Sequence, residues 1–270
     1  MNNLFETIKR FFTRLKYKLA GAREGRDVYL DRPARGKRLG MIILIGALAI
    51  ILVTVFSIRS LPGSMFYSLK TEVIEEIFGS MKVSTEGKEA YQIKLLERRL
   101  SELSRMNPEK EVSEKAQGQI GGKIQENYDT LKSIIESGAD ASQGNLVNTL
   151  YALTTVLYLH DHVIAQNDHL EALEDPAGDR LKEARDIYKG YVQIYVAASE
   201  ADEIQSFINN QLQLLLNRVD DQEPNEETLE KINRRLGQIQ TAIVENNAAE
   251  AIYLVHESLQ LLRAEEYFLE

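Results

Sequence analysis

The sequence predicts an all-α protein: a single transmembrane helix followed by an extracytoplasmic bundle or elongated stack of antiparallel helical hairpins. Three observations carry this. Residues 39–58, LGMIILIGALAIILVTVFSI, run twenty residues without a charge, and at about 1.5 Å of rise per residue a helix of that length reaches about 30 Å, the hydrocarbon thickness of a bilayer. Beyond it, apolar residues recur at three- and four-residue spacing in one segment after another, separated by capping residues and short connections. No stretch alternates apolar and polar residues with β-branched enrichment, so no sheet is expected.

The charge distribution divides the chain at the apolar run. Residues 1–38 hold 11 Lys and Arg against 4 Asp and Glu, whereas residues 59–270 hold 21 against 37. The net charge of −9 therefore joins a basic arm to an acidic body, and an acidic body does not bind nucleic acid unaided. The absence of cysteine excludes disulfides, thiolate nucleophiles and cysteine-ligated metal centres.

Within the arm, Leu4, Ile8, Phe11, Phe12, Leu15 and Leu19 keep helical spacing among Lys9, Arg10, Arg14, Lys16 and Lys18. That is a cationic amphipathic helix suited to an anionic leaflet, and residues 21–38 read as a basic linker. The twenty-residue run exceeds the 7 to 15 of a signal peptide's apolar core and lacks a small-residue cleavage pair after it, so it reads as an uncleaved anchor. Arg32, Arg35, Lys37 and Arg38 flank its N-terminal end and only Arg59 the other, which places the N-terminus in the cytoplasm and residues 59–270 outside.

Directly after the run comes Leu61-Pro62-Gly63, a helix-breaking turn, with Ser64 as the expected cap of the next helix. That helix is expected to bury Leu69, Val73, Ile74, Ile77 and Phe78 and to end at Gly79, with Phe66 and Tyr67 as interfacial anchors. Leu61, Pro62, Gly63, Tyr67 and Lys70, followed by Glu72, Glu75 and the segment Glu97-Arg98-Arg99-Leu100-Ser101-Glu102-Leu103, resemble an uncharacterised bacterial family of membrane-anchored domains with the motif LPG-x-x-x-Y-x-x-K. The resemblance covers about residues 60–105. It implies a bacterial cell envelope location and no activity; some relatives follow anti-sigma-factor regions, whose zinc-binding His and Cys are missing from residues 1–38.

Further helices follow from caps and periods. Ser84 or Thr85 opens one that reaches about Arg105. Asn107-Pro108 opens another, with a bend expected at Gly118, Gly121 and Gly122 because interior glycines cost about 1 kcal/mol each. Asp140 to Gln143 has capping-box spacing ahead of an apolar helix that ends near Leu173. Asp175-Pro176 opens a helix to about Asp220 with a polar interruption at residues 199–203. After a loop at residues 222–225, two helices form a hairpin around Asn246-Asn247.

Two clusters are candidate sites. Tyr151 and Tyr158 on one helix, with Tyr188, Tyr191 and Tyr195 on the next, form either core or the wall of a groove for a glycan strand or apolar peptide. His162, His169 and Asp161 are the candidate metal ligands, although the i, i+4 histidine pair of a zinc-protease helix is missing. The glycines at 118–122 lack the GK[ST] ending of a phosphate loop, and no GxSxG-type nucleophile occurs. The expectation is a single-pass, non-enzymatic envelope protein without a cofactor, its outer domain binding or scaffolding another envelope component. The lipid bilayer and an envelope protein are the expected partners, with self-association an open alternative. A second expectation is a transmembrane signalling regulator of anti-sigma-like type, with the outer domain as sensor and residues 1–38 binding a cytoplasmic partner.

Overall fold

Every regular element in the described residues is a helix. The computed structural model describes residues 57, 59–106, 112–137 and 143–269. The basic arm, residues 39–56 and Ile58 of the apolar run, the Asn107-Pro108 start and Asp140, Ala141 and Ser142 of the capping box lie outside them. Among the described residues there is no strand, and no helix is long and apolar enough to cross a membrane.

Helix α1 runs Tyr67–Leu69, widens into a π-helical turn at Lys70–Ile74 and continues over Glu75–Ser80. It is followed by α2 (Thr85–Ser104), α3 (Glu114–Ser137) and α4 (Gln143–Ala165). A 3₁₀ helix (Asp168–Leu173) then leads into α5 (Glu174–Ala198), α6 (Ala201–Gln222), α7 (Glu226–Val244) and α8 (Ala248–Leu269). Three of the starts are capped as their sequences require. Ser84 accepts from the Gly87 N–H at 3.1 Å, Asn225 from Thr228 at 2.9 Å and Asn247 from Glu250 at 3.2 Å, each satisfying an otherwise orphaned amide.

The helices pack as a bundle with two hubs. α4 lies against α2, α5, α8 and the 3₁₀ helix, and α8 lies against α4, α5, α6 and α7. Both are apolar on most sides, as a helix surrounded by neighbours must be. α4 buries Leu146, Val147, Leu150, Leu153, Leu157 and Ile164, and α8 buries Ala251, Ile252, Val255, Leu259 and Leu262.

Several expectations change. Ser64 caps nothing, since α1 begins at Tyr67 and has no side-chain cap. Ile77 and Phe78 are exposed, because the π turn inserts a residue and swings the following turn by about 100°; Thr71 and Glu75 face inward in their place. Tyr67 is buried instead of standing as an interfacial anchor. The apolar helix stops at Ala165, and residues up to Leu173 form the 3₁₀ helix. Asp175 and Pro176 fall inside the first turn of α5. The interruption at 199–203 is a complete break: Ser199 and Glu200 are extended, with ψ of 155° and 151°, and two helices meet there.

The glycine-rich turn of α3 does not break the helix, which runs unbroken from Glu114 to Ser137. At Gly121 a Cβ would stand 2.7 Å from Leu173 Cδ2, whereas nothing lies within 4 Å at Gly118 or Gly122. Gly121 thus serves the close approach of the 3₁₀ helix, and the other two are only a propensity cost. Gly122→Ala should raise stability by about 0.5–1 kcal/mol. Gly121→Ala should gain less or nothing because Leu173 has to move, a difference that chemical denaturation of the two variants measures directly.

Candidate functional site

The site is built from the segment around Tyr67. Leu61 to Ser64 form a tight turn in which the Ser64 N–H donates to the Leu61 carbonyl at 3.1 Å. Gly63 has a φ of +87°, the left-handed value that the third residue of a type II turn demands, and Pro62 pre-sets the residue before it. A Cβ on Gly63 would also approach the Ala116 Cβ of α3 to 3.2 Å. With that space free, the Gly63 N–H donates to Gln119 Oε1 at 2.7 Å and docks the turn on α3.

From this turn α1 directs Tyr67, Lys70 and Glu75 at α2. Arg99 is the centre of what they meet. Its Nη1 donates to the Tyr67 hydroxyl at 2.7 Å and to Glu102 Oε2 at 2.8 Å, and its Nη2 pairs with Glu75 Oε1. Lys70 Nζ pairs with the other Glu102 oxygen and also donates to the Ser60 carbonyl at 3.3 Å. The Tyr67 hydroxyl donates to Glu102 Oε2 at 2.9 Å. Arg98 donates to Glu75 at 2.8 Å from the rim, and the Tyr91 hydroxyl donates to the Glu75 carbonyl at 2.6 Å. Tyr67, Lys70, Glu75, Arg99 and Glu102 are all at most 5% exposed. Four buried ionic groups and a phenol therefore form one network, in which Arg99 Nε is left without a partner.

The π turn makes this possible. Lys70 and Glu75 are five residues apart, a spacing that an α-helix would place about 140° apart. The wider turn brings both against α2, so Lys70 reaches Glu102 while Glu75 reaches Arg99. Burial works against the charge on Arg99, but Glu102, the Tyr67 hydroxyl and Glu75 outweigh it and raise its pKa. Burial lowers the pKa of Lys70 despite its bond to Glu102, and burial raises that of Tyr67. The arrangement is an electrostatic clamp: two cations and two carboxylates whose desolvation is tolerable only while every partner is present.

The sequence-predicted residues thus fall into two sets. Tyr67 and Lys70 converge with Arg99 and Glu102 of α2, whereas the Leu61-Pro62-Gly63 turn docks on α3 through Gly63. The tyrosines do not form an open wall. Tyr188 and Tyr195 are buried, Tyr151, Tyr158 and Tyr191 pack against the core as half-buried residues, and the stripe faces α8 and α6. The Tyr151 ring stacks on His256 at a centroid separation of 4.1 Å, the Tyr188 hydroxyl meets His256 Nδ1 at 2.5 Å, and Tyr195 packs on Phe207 at 5.3 Å.

His162 is exposed, with its ring 5.8 Å from that of Tyr158 and 5.1 Å from that of Phe268. Asp161 instead faces Lys182, Arg185 and Lys189 of α5 across a recess, and His169 follows the 3₁₀ cap Asn167. Among the described residues no three His, Asp or Glu side chains come together as metal ligands. Helical phase explains this: His162 and His169 would share one face of a continuous helix, but the chain leaves the α-helix after Ala165.

Sequence reasoning overlooked His256. It lies in α8, fully enclosed, as is His160 in α4, whose Nε2 is 2.9 Å from the Leu96 carbonyl. The signal was a histidine within an otherwise apolar helix face. Burial drives both imidazoles down to a pKa of about 3.

Compared with protein-family models, with curated proteins and with solved structures, the chain matches none. The class that fold and site define is an all-helical domain whose first helix is fastened to the second through a buried ionic clamp and whose first turn is docked on the third by a hydrogen bond.

Two predictions test the clamp and the buried imidazoles. Arg99→Ala leaves Glu75 and Glu102 buried with reduced compensation, and should cost about 3–5 kcal/mol. Arg99→Met with Glu102→Gln should cost less than the sum of the two single changes, which a double-mutant cycle in urea reads. His160 and His256 take up protons in the unfolded chain near the ordinary 6.5 but in the folded chain only near 3. Their contribution is complete above pH 6.5 and lost as pH falls toward 3, at about 1 kcal/mol per pH unit for each. His256→Leu should flatten that part of the stability–pH curve.

Proposed function

We propose that the protein is a single-pass, non-enzymatic envelope protein, with residues 39–58 as the anchor and residues 59–270 outside as a domain that binds or scaffolds another envelope component. The observation that carries this reading is the clamp. The residues directly after the apolar run are fastened to α2 and α3 by Gly63, Tyr67, Lys70 and Glu75, so the domain assigned to the outside is ordered from its first turn onward. Exposed apolar side chains near the end of α1, Ile77, Phe78, Met81 and Val83, supply a face for a protein partner.

Two measurements on the full chain test the reading. A reporter that works only outside the cytoplasm, fused after Glu270, should be active. A photo-crosslinking residue at Phe78 should give a discrete protein adduct, whereas one at the polar, exposed Gln205 should give none. An inactive external reporter together with an active cytoplasmic one defeats the topology, and equal labelling from both positions defeats the docking face.

A further inference from the structure

Beside the clamp lies a recess of about 560 Å³ lined by Arg59, Lys70, Arg98, Ser101, Glu102 and Arg105. Four of the six side chains are cations and one is a carboxylate. We propose that this recess binds a phosphate-class oxyanion, presented either by an anionic lipid headgroup or by a soluble ligand.

Three features support it. First, the single carboxylate is already engaged inward: one Glu102 oxygen pairs with Lys70, and the other accepts from Tyr67 and Arg99. Arg59 and Arg105 make no ion pair among the described residues. Second, the cations come from separate segments of the chain. Arg98 and Arg105 are seven residues apart, with Ser101 and Glu102 between, and so share one face of α2, where Arg105 is the C-cap. Arg59 sits in the turn closed by the Ser60 N–H donating to the Ser57 carbonyl at 3.0 Å, and the Ser60 carbonyl accepts from Lys70. Favourable interaction with a helix C-terminus accounts for Arg105, but not for Arg59, which arrives from outside the helix. Third, Lys70 carries three donors, and its acceptors in the protein are Glu102 and the Ser60 carbonyl, leaving a donor for a ligand oxygen.

Lys70 and Arg98 already have carboxylate partners in Glu102 and Glu75, so the cations left over are Arg59 and Arg105, which repel one another unless an anion is shared between them. Guanidinium forks with an ammonium are the donor set that matches the tetrahedral oxygens of phosphate. The recess is also a reversal of sign within an acidic body, since residues 59–270 carry 37 acidic against 21 basic residues. Arg59 directly follows the charge-free run at 39–58, which makes a lipid phosphate one of the two sources.

The test uses the full chain and an Arg59→Gln, Arg105→Gln double variant. Both residues are exposed and outside the clamp, so the variant should match the wild type in circular dichroism and unliganded melting. In detergent, inorganic phosphate is titrated against chloride at constant ionic strength. In nanodiscs, phosphatidylcholine alone is compared with phosphatidylcholine containing phosphatidylglycerol. The wild type should show a saturable rise in melting temperature with phosphate, with phosphatidylglycerol, or with both, and the double variant should bind about tenfold or more weakly. A response to phosphate alone assigns a soluble ligand, and a response to phosphatidylglycerol alone assigns a headgroup. No response in either arm, or a response undiminished in the double variant, overturns the proposal. The phosphate arm does not depend on residues 39–58 spanning a bilayer, so it fails or succeeds independently of the proposed topology.

Discussion

The guanidinium of Arg99 is the point on which the N-terminal part of the described structure depends. It has no measurable exposure, yet it carries a full charge at any physiological pH. Such a group is stable inside a protein only when acceptors surround it, and here Glu75, Glu102 and the Tyr67 hydroxyl do so from two helices. Because two of the acceptors lie on α1, the charge that α2 cannot solvate by itself forces α1 into one position. Hydrophobic packing contributes less there, since the apolar side chains toward the end of α1, Ile77 and Phe78, face outward. Fixing the helix by buried charge gives directionality that apolar contacts lack, at the cost of desolvating four ions.

The rest of the molecule follows a different logic. α4 and α8 are held by apolar burial, and the polar groups within that region are the exceptions that need partners. Gln260 donates to Thr154 at 2.8 Å, and the Tyr188 hydroxyl meets His256. These contacts fix the register of α8 against α4 and α5 in a core where leucines alone would tolerate sliding. The aromatic cluster around His256 therefore belongs to packing, and the tyrosine stripe is spent there instead of lining a groove. Clamp and core meet at α2, whose Leu96 and Leu100 join the apolar cluster while Arg99 and Glu102 face α1.

Much of this was legible in the residues themselves. The all-helical class, the caps at Ser84 and Asn247, and the break near residues 199–203 followed from capping chemistry and period, because these are local effects confined to a turn or two of chain. The turn at Pro62-Gly63 was also readable, since few residue pairs form it. What Tyr67 and Lys70 meet was not readable. Their partners on α2 lie over thirty residues away, and the π turn that brings Glu75 to the same side as Lys70 has no local sequence signature.

The same division explains the corrections. The sequence by itself determined the helical class, the caps at Ser84 and Asn247 and the opposite charges of the arm and the body, all of which depend on neighbours in the chain. Tertiary structure decided which side of each helix is inside. It set Gly121 in close contact with Leu173, moved Tyr67 from a surface anchor to a buried hydrogen-bond partner, and set His162, His169 and Asp161 in separate surroundings. Each of those outcomes rests on distances across the bundle, where a side chain's environment is made by other helices and one inserted residue in a turn is enough to exchange the faces.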